Sequence, residues 1–305
     1  MHKIYTLLLF SILSFTTFAS GEGWMTNFEE AKKKATSENK SLLVDFTGSD
    51  WCGWCIRLKE EVFDKKEFAD FAKDKFVLVE LDFPSKKKQD PAIKAQNAEL
   101  GKKYRVQGYP TILLMDSKGR PFAKTGYQAG GPPAYNKHLT ELLSSGQKIA
   151  QNLEAASKLN GSNKAKALVA TLKLFPEELL IHYTAEMNEI KKLDPKDSTG
   201  FVKEMMLKED LKKLQSSVAQ TARGGDQEKA LKMVDDFIAD NKLSGESKQQ
   251  AIMAKLNCYD PRKPGALEIA DALMDEVIAI DAQSETGKYA SSIKDRISEM
   301  KKQQK

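Results

Sequence analysis

Only three cysteines and three histidines occur in 305 residues, too few for a small scaffold stapled by disulfides. No apolar run reaches the roughly 20 residues that a membrane-spanning helix needs. Ten prolines and 18 glycines exclude a collagen-like or proline-rich chain. A hydrophobic content of 41% with 30% charged residues excludes a predominantly disordered one. Concentrated positive charge is missing too. The formal charge is +5, with 23 Lys+Arg against 18 Asp+Glu over residues 1–150 and 25 of each afterwards. No basic run is longer than Lys86-Lys87-Lys88, which reads as a solvated loop. Nucleic-acid binding at physiological salt needs many phosphate contacts from one basic face, so no nucleic-acid partner is expected.

At about 150 residues per domain, the length suggests two domains. The chain opens with His2 and Lys3, an apolar stretch from Ile4 to Phe18, and small residues around Ala19-Ser20-Gly21. This is the pattern of a secretory signal peptide over residues 1–19, cut after Ala19. The expected location is extracytoplasmic, periplasmic or secreted, with no membrane span after cleavage. An oxidising compartment allows neighbouring cysteines to pair.

All three Trp and 11 of the 14 Phe lie before residue 150, which places a domain boundary near Ser144-Ser145-Gly146. Residues 20–146 alternate helical and strand patterns. Thr26 and Glu29 form a capping box for a helix to about Asn39. Ser41–Thr47, Phe76–Asp82, Thr111–Met115 and Pro121–Thr125 are strand-like runs, the last two joined through Asp116-Ser117-Lys118-Gly119 as a hairpin. Pro133 opens a helix to Leu143. The fold class is α/β with an antiparallel hairpin. Residues 147–305 carry one-sided apolar stripes such as Leu207, Leu211, Leu214 and Val218, so an all-α domain of helical hairpins or a bundle is expected. Glu189–Gly200 and Glu276–Gly287 share a pattern, with Asp240 and Ser244 marking an intermediate copy. Stacked hairpins resembling tetratricopeptide repeats and an irregular bundle both fit.

The chemistry concentrates in Trp51-Cys52-Gly53-Trp54-Cys55, between a strand and a helix. Residues three apart at a helix start lie roughly 5 to 6 Å apart, within reach of a disulfide. Cys52 would sit at the helix N-terminus, where free N–H groups favour a thiolate, and would attack; Cys55, one turn in, would resolve the mixed disulfide. A zinc site would need ligands beyond Cys258, His138 and His182, which are scattered, and a c-type haem would need His where Ile56 stands. A structural disulfide spanning so short a loop constrains little. Redox activity is the strongest of these readings, with neither cofactor nor metal expected. Cys258 reads as a buried small hydrophobe, with an intermolecular or regulatory thiol as the alternative.

Leu43-Val44-Asp45-Phe46, the Trp51–Cys55 motif, and Tyr104-Arg105-Val106-Gln107-Gly108-Tyr109-Pro110-Thr111 together resemble the thioredoxin superfamily over residues 25–145, above all secreted thioredoxin-like proteins with a GSDWCxWC site. The resemblance implies that Pro110 is a cis-proline facing the cysteines, and that Gly108 and Tyr109 beside it bind an extended substrate segment. It implies that Asp45 is the buried acid that shuttles a proton to and from the resolving thiol, although six residues separate it from Cys52, one more than in ordinary thioredoxins. Trp51 and Trp54 would shape an apolar docking surface around Cys52. The expected function is extracytoplasmic thiol-disulfide exchange with protein dithiol or disulfide substrates and a redox partner protein. The alternative is a helical binding or scaffold protein, its partner on the helical domain, in which the redox domain is auxiliary.

Overall fold

The computed structural model describes residues 23–260 and 262–303; the expected signal peptide lies outside the described residues. The chain divides into two compact units, ending and beginning at Thr199 and Gly200.

The first unit is built on a five-stranded sheet in the order β1-β3-β2-β4-β5. Its strands are β1 (Trp24–Met25), β2 (Ser41–Thr47), β3 (Phe76–Asp82), β4 (Thr111–Met115) and β5 (Pro121–Thr125). β1, β3 and β2 run parallel, whereas β4 lies antiparallel to β2 and β5 antiparallel to β4. β2 is the central strand, and from Leu42 to Thr47 every residue is buried, as expected for a strand covered on both faces. β1 escapes sequence detection because two residues show no periodicity.

The helices between these strands are α1 (Phe28–Glu38), α2 (Gly53–Leu58), α3 (Lys66–Ala72) and α4 (Pro91–Lys103). The cap of α1 is Asn27, whose side chain accepts the Glu30 N–H, one position after the expected Thr26. α2 passes into a π-turn at Lys59–Phe63. The β4–β5 hairpin closes through Asp116, whose carboxylate accepts the N–H groups of Lys118 and Arg120, with Gly119 at φ 79°.

α5 (Gly131–Ser157) continues without a break across the expected boundary at residue 146. Gly146 is a close-approach seat: a Cβ there would lie 2.4 Å from the ring of Phe122 on β5. α6 (Gly161–Leu172), a 3-10 segment (Glu177–Tyr183) and α7 (Thr184–Leu193) complete the unit. Leu179 enters the same core as Val44, Phe46, Val79 and Leu113 of the sheet. Tyr183 donates to the Pro121 carbonyl, and Arg120 pairs with Glu186 at 2.8 Å. The helical chain up to Thr199 thus belongs to the sheet-containing unit, beyond the compositional break at residue 146.

The second unit contains α8 (Phe201–Arg223), α9 (Gln227–Asp240), α10 (Gly245–Met253), a 3-10 segment (Ala254–Cys258), α11 (Ala266–Ile280) and α12 (Glu285–Gln303). The predicted stripe Leu211, Leu214 and Val218 is buried against Ala230, Val234 and Cys258. Ile252, Leu273, Met274, Val277 and Ala290 form a second cluster. Gln249, fully buried, donates to the carbonyls of Val277 and Asp281 and accepts from Ser284, which ties α10 to the α11–α12 turn.

Asp194 accepts the N–H groups of Ser198 and Thr199, and Asp281 those of Gln283 and Ser284, each carboxylate closing the turn after a helix. Asp240 and Ser244 likewise flank the α9–α10 turn.

Candidate active site

β2 delivers the chain to the redox motif through a turn in which the Cys52 N–H bonds the Gly48 carbonyl at 2.9 Å, and this turn accommodates the extra residue between Asp45 and Cys52. Cys52 and Cys55 are disulfide-bonded, with Cα atoms 5.2 Å apart. Cys52 is the N-cap of α2, and its sulfur accepts the Cys55 N–H at 3.2 Å. A donor and the positive end of the helix therefore both face this sulfur, which favours its thiolate once the bridge opens. The two residues are 6% and 3% exposed.

Aromatic rings stand on both sides of the motif. Trp51, 50% exposed, folds over Gly48, where a Cβ would come within 2.5 Å of its ring. Its indole N–H donates to the Phe83 carbonyl at 2.8 Å, and its ring meets Tyr109 edge-on at 5.5 Å. Trp54, 56% exposed, lies 5.1 Å from Tyr127, and the Arg57 guanidinium covers both rings. Glu61 holds this second group by accepting from Arg57 at 2.6 Å and Tyr127 at 2.7 Å. Two exposed indoles held by polar contacts rather than buried make an apolar surface that water covers poorly.

The Tyr109–Pro110 peptide bond is cis, at the entry to β4. The carbonyl of Gly108 accepts the Thr111 hydroxyl at 2.8 Å, and the space around the Gly108 Cα is open.

Behind the disulfide is a cavity of about 220 Å³ whose lining includes Cys55, Asp45, Glu80, Lys59, Ser49 and Trp24. It is polar enough and wide enough for several waters at about 30 Å³ each. Asp45 is 6% exposed, and its Oδ1 has no hydrogen-bond partner among the described residues. Loss of hydration pushes its carboxyl well above the usual carboxylate range, Glu80 and Asp82 push it further, and Lys59 opposes them. Glu80, half-buried, is raised by the same desolvation and by Asp82. A carboxyl perturbed by burial beside a redox cysteine is a functional signal, since a structural acid at this depth is normally paired.

The neighbouring acids have different work. Asp82 accepts from Ser49 through both N–H and hydroxyl, at 2.9 and 2.6 Å. Asp50 accepts the N–H groups of Ser85, Lys86 and Lys87, which holds its carboxyl down at about 2. The basic triplet is thus an exposed loop fastened to the redox motif.

Of the residues singled out from sequence, Asp45, Cys52 and Cys55 converge on the cavity and disulfide, while Trp51 and Tyr109 meet on one side and Trp54 stands with Tyr127 on the other. Glu80, Lys59, Phe83, Arg57 and Glu61 were not singled out; their signal is cross-strand register or ring contact, which a linear pattern does not carry. Among the described residues no group of three or more His, Cys, Asp or Glu is placed to hold a metal ion, and Cys258 is buried and free. His138 bonds Thr125 and Gln128, and the His182 ring lies 5.2 Å from that of Tyr104, tilted by 46°.

Comparison with known proteins matches residues 28–141 to the thioredoxin-like domain family. The chain is 36% identical over 109 residues to the disulfide bond reductase DsbH of Chlamydia pneumoniae, covering 36% of this chain and 66% of the relative. It is 31% identical over 131 residues to the thioredoxin-related protein DsbJ of the same organism, covering 41% and 37% respectively. A solved structure of a DsbH oxidoreductase shares 30% identity at a TM-score of 0.39, with 47% of this chain and 95% of that one covered. The matched stretches span under two thirds of these curated relatives' lengths. Residues 28–141 thus form a thioredoxin-like domain.

Proposed function

We propose that this protein is an extracytoplasmic thiol-disulfide oxidoreductase that exchanges disulfides with protein clients through Cys52 and Cys55. One observation carries the reading: a bridged pair has one sulfur at a helix N-terminus and the other beside a cavity holding an unpartnered buried carboxyl. The name of the DsbH relative, a disulfide bond reductase, supports it. The leader-like residues 1–19 support the location.

In the reducing direction, the Cys52 thiolate attacks one sulfur of a client disulfide. That S–S bond breaks, a Cys52–client bond forms, and the second client sulfur leaves as a thiolate that takes a proton from water. Cys55 then passes its thiol proton to the Asp45 carboxylate and attacks Cys52, releasing the first client sulfur, which is protonated in turn. Two electrons have moved from the Cys52/Cys55 dithiol to the client, and the bridge seen in the structure is restored. The oxidising direction is the reverse, and the difference in reduction potential sets which one runs, with about 30 mV equivalent to 1.4 kcal/mol.

The backbone at Gly108–Tyr109, ahead of Pro110, receives an extended client segment, for which the open space at Gly108 leaves room. Trp51 and Trp54 give that segment apolar contact. The helical unit, residues 200–305, recruits the client or the redox partner; a core of its own supports a separate role.

Incubating the full-length Cys55→Ser protein, reduced, with oxidised secreted proteins is expected to accumulate mixed disulfides through Cys52. Their absence, with a correctly folded variant, overturns the proposal. The measured reduction potential of the Cys52/Cys55 couple assigns the direction.

A further inference from the structure

Asp45 and Glu80 are register partners on the parallel strands β2 and β3, so their side chains leave the sheet on the same face, about 5 Å apart at the backbone. Both line the cavity that also contains Cys55. Asp45 is at its buried end, with an oxygen that no described group satisfies, and Glu80 is half-exposed. The remaining lining contributes Lys59, Glu60 and Asp64 from the π-turn and the residue after it, with Ser49 and Thr47 from the β2–α2 connection. Lys59 is shared, because its ammonium also pairs with Asp64. Asp82 and Lys87 act on Glu80 from a distance, and Tyr135 of α5 is the phenol affected by Asp45. The β4 register partner of Asp45 is Ile112, which offers no polar group.

We propose that Glu80 is a positioning residue for proton transfer: with Asp45 it forms a carboxyl pair holding one proton between them, and it conducts the Cys55 proton from Asp45 to the solvent end of the cavity. This rests on the thiol-exchange reading above. Two carboxylates in one poorly hydrated space repel, so the second ionisation of the pair is delayed, and one proton stays available over a broad pH range. During resolution the Cys55 S–H bond breaks and its proton goes to the pair. The Cys55 thiolate forms the bond to Cys52, the Cys52–client S–S bond of the mixed disulfide breaks, the client sulfur leaves with the electron pair and takes up a proton, and Glu80 passes a proton to cavity water. The burial of both carboxyls and the push of each neighbouring acid act in the direction the pair requires.

The test is a carboxyl-carbon NMR titration of the oxidised full-length chain, labelled with carbon-13 at the Asp and Glu side-chain carboxyls. The Asp45 and Glu80 resonances are expected to share two steps separated by about two pH units or more. In Glu80→Gln, Asp45 is expected to titrate in one step, about one pH unit or more below its upper step, and Glu80→Asp restores the two-step curve. Independent single steps in the unaltered protein overturn the proposal, as does an Asp45 midpoint in Glu80→Gln within about 0.3 unit of its original upper step. The titration of the unaltered chain decides the matter even where a variant does not fold. The readout needs no client, so coupled carboxyls without exchange activity would overturn the proposed function alone. Exchange activity with uncoupled carboxyls would overturn the pair alone.

Discussion

Asp45→Asn is expected to make the oxidised protein more stable and less active, both in a pH-dependent way. In the unfolded chain Asp45 ionises near 3.9, whereas in the fold its carboxyl keeps its proton to higher pH because burial and two neighbouring acids disfavour the charge. A raised carboxyl midpoint contributes stability that is fully present below the unfolded value and lost as pH rises toward the folded one. The loss accumulates at about 1.4 kcal/mol per pH unit. The destabilisation therefore grows with every pH unit between the unfolded and the raised folded midpoint. Asn has the same shape and no charge, and the unpartnered Oδ1 position is common to both side chains, so that term cancels. The stability difference between variant and parent should be near zero at pH 3 and rise through pH 5 and 6. Each kcal/mol of difference corresponds to roughly 2–4 °C for a unit of this size. Urea or thermal unfolding followed by tryptophan fluorescence reads this unit alone, since Trp24, Trp51 and Trp54 all lie in it. The rate of mixed-disulfide resolution should fall by about 10²–10⁴ at neutral pH as the base is lost. A stability difference that is flat between pH 4 and 7, or a less stable variant, refutes the reasoning.

Gly146→Ala should destabilise the first unit by about 1–2 kcal/mol: the overlap at 2.4 Å with Phe122 outweighs the roughly 1 kcal/mol that helix propensity favours, and Phe122→Leu should recover part of the loss in the same fluorescence melt. A gain in stability would mean that α5 does not seat on β5 there. A chain ending at Thr199 should keep exchange with a small-molecule disulfide yet lose about tenfold or more in kcat/KM on a physiological client. Equal kcat/KM for the two chains removes the recruiting role of residues 200–305.

The α/β core was legible because its signals are local. Ser41–Thr47, Phe76–Asp82 and Thr111–Met115 are apolar runs of strand length, and each is a strand with those bounds. The Cys-x-x-Cys spacing determines its own geometry once a helix starts there. The extent of the unit was not legible, because Ser144-Ser145-Gly146 resembles a linker in composition, and only the ring of Phe122 shows why small residues are needed there. The stripe of Leu180, Tyr183, Met187 and Ile190 reads as one helix, but its first half is a 3-10 segment that places Leu179 into the sheet core. Glu80 alternates along β3 as a solvent-side strand residue would. Its meaning comes from the register with Asp45, set by strands 35 positions apart in sequence.

Four of the acids around the redox motif, Asp45, Asp50, Glu80 and Asp82, fall into two groups by their hydrogen-bond donors. Asp50 accepts three backbone N–H groups and Asp82 accepts two groups of Ser49, so both act as fixed anchors for the loops that carry Trp51 and Phe83. Asp45 and Glu80 lie on the cavity that reaches Cys55, where loss of water is the leading influence on each. The donors around Asp50 hold its carboxyl down at about 2, whereas burial raises those of Asp45 and Glu80. Under the proposed mechanism, Asp50 and Asp82 anchor loops while Asp45 and Glu80 carry the proton, and a client docked on Trp51 and Trp54 leaves the cavity that Asp45, Glu80 and Cys55 share free to release it.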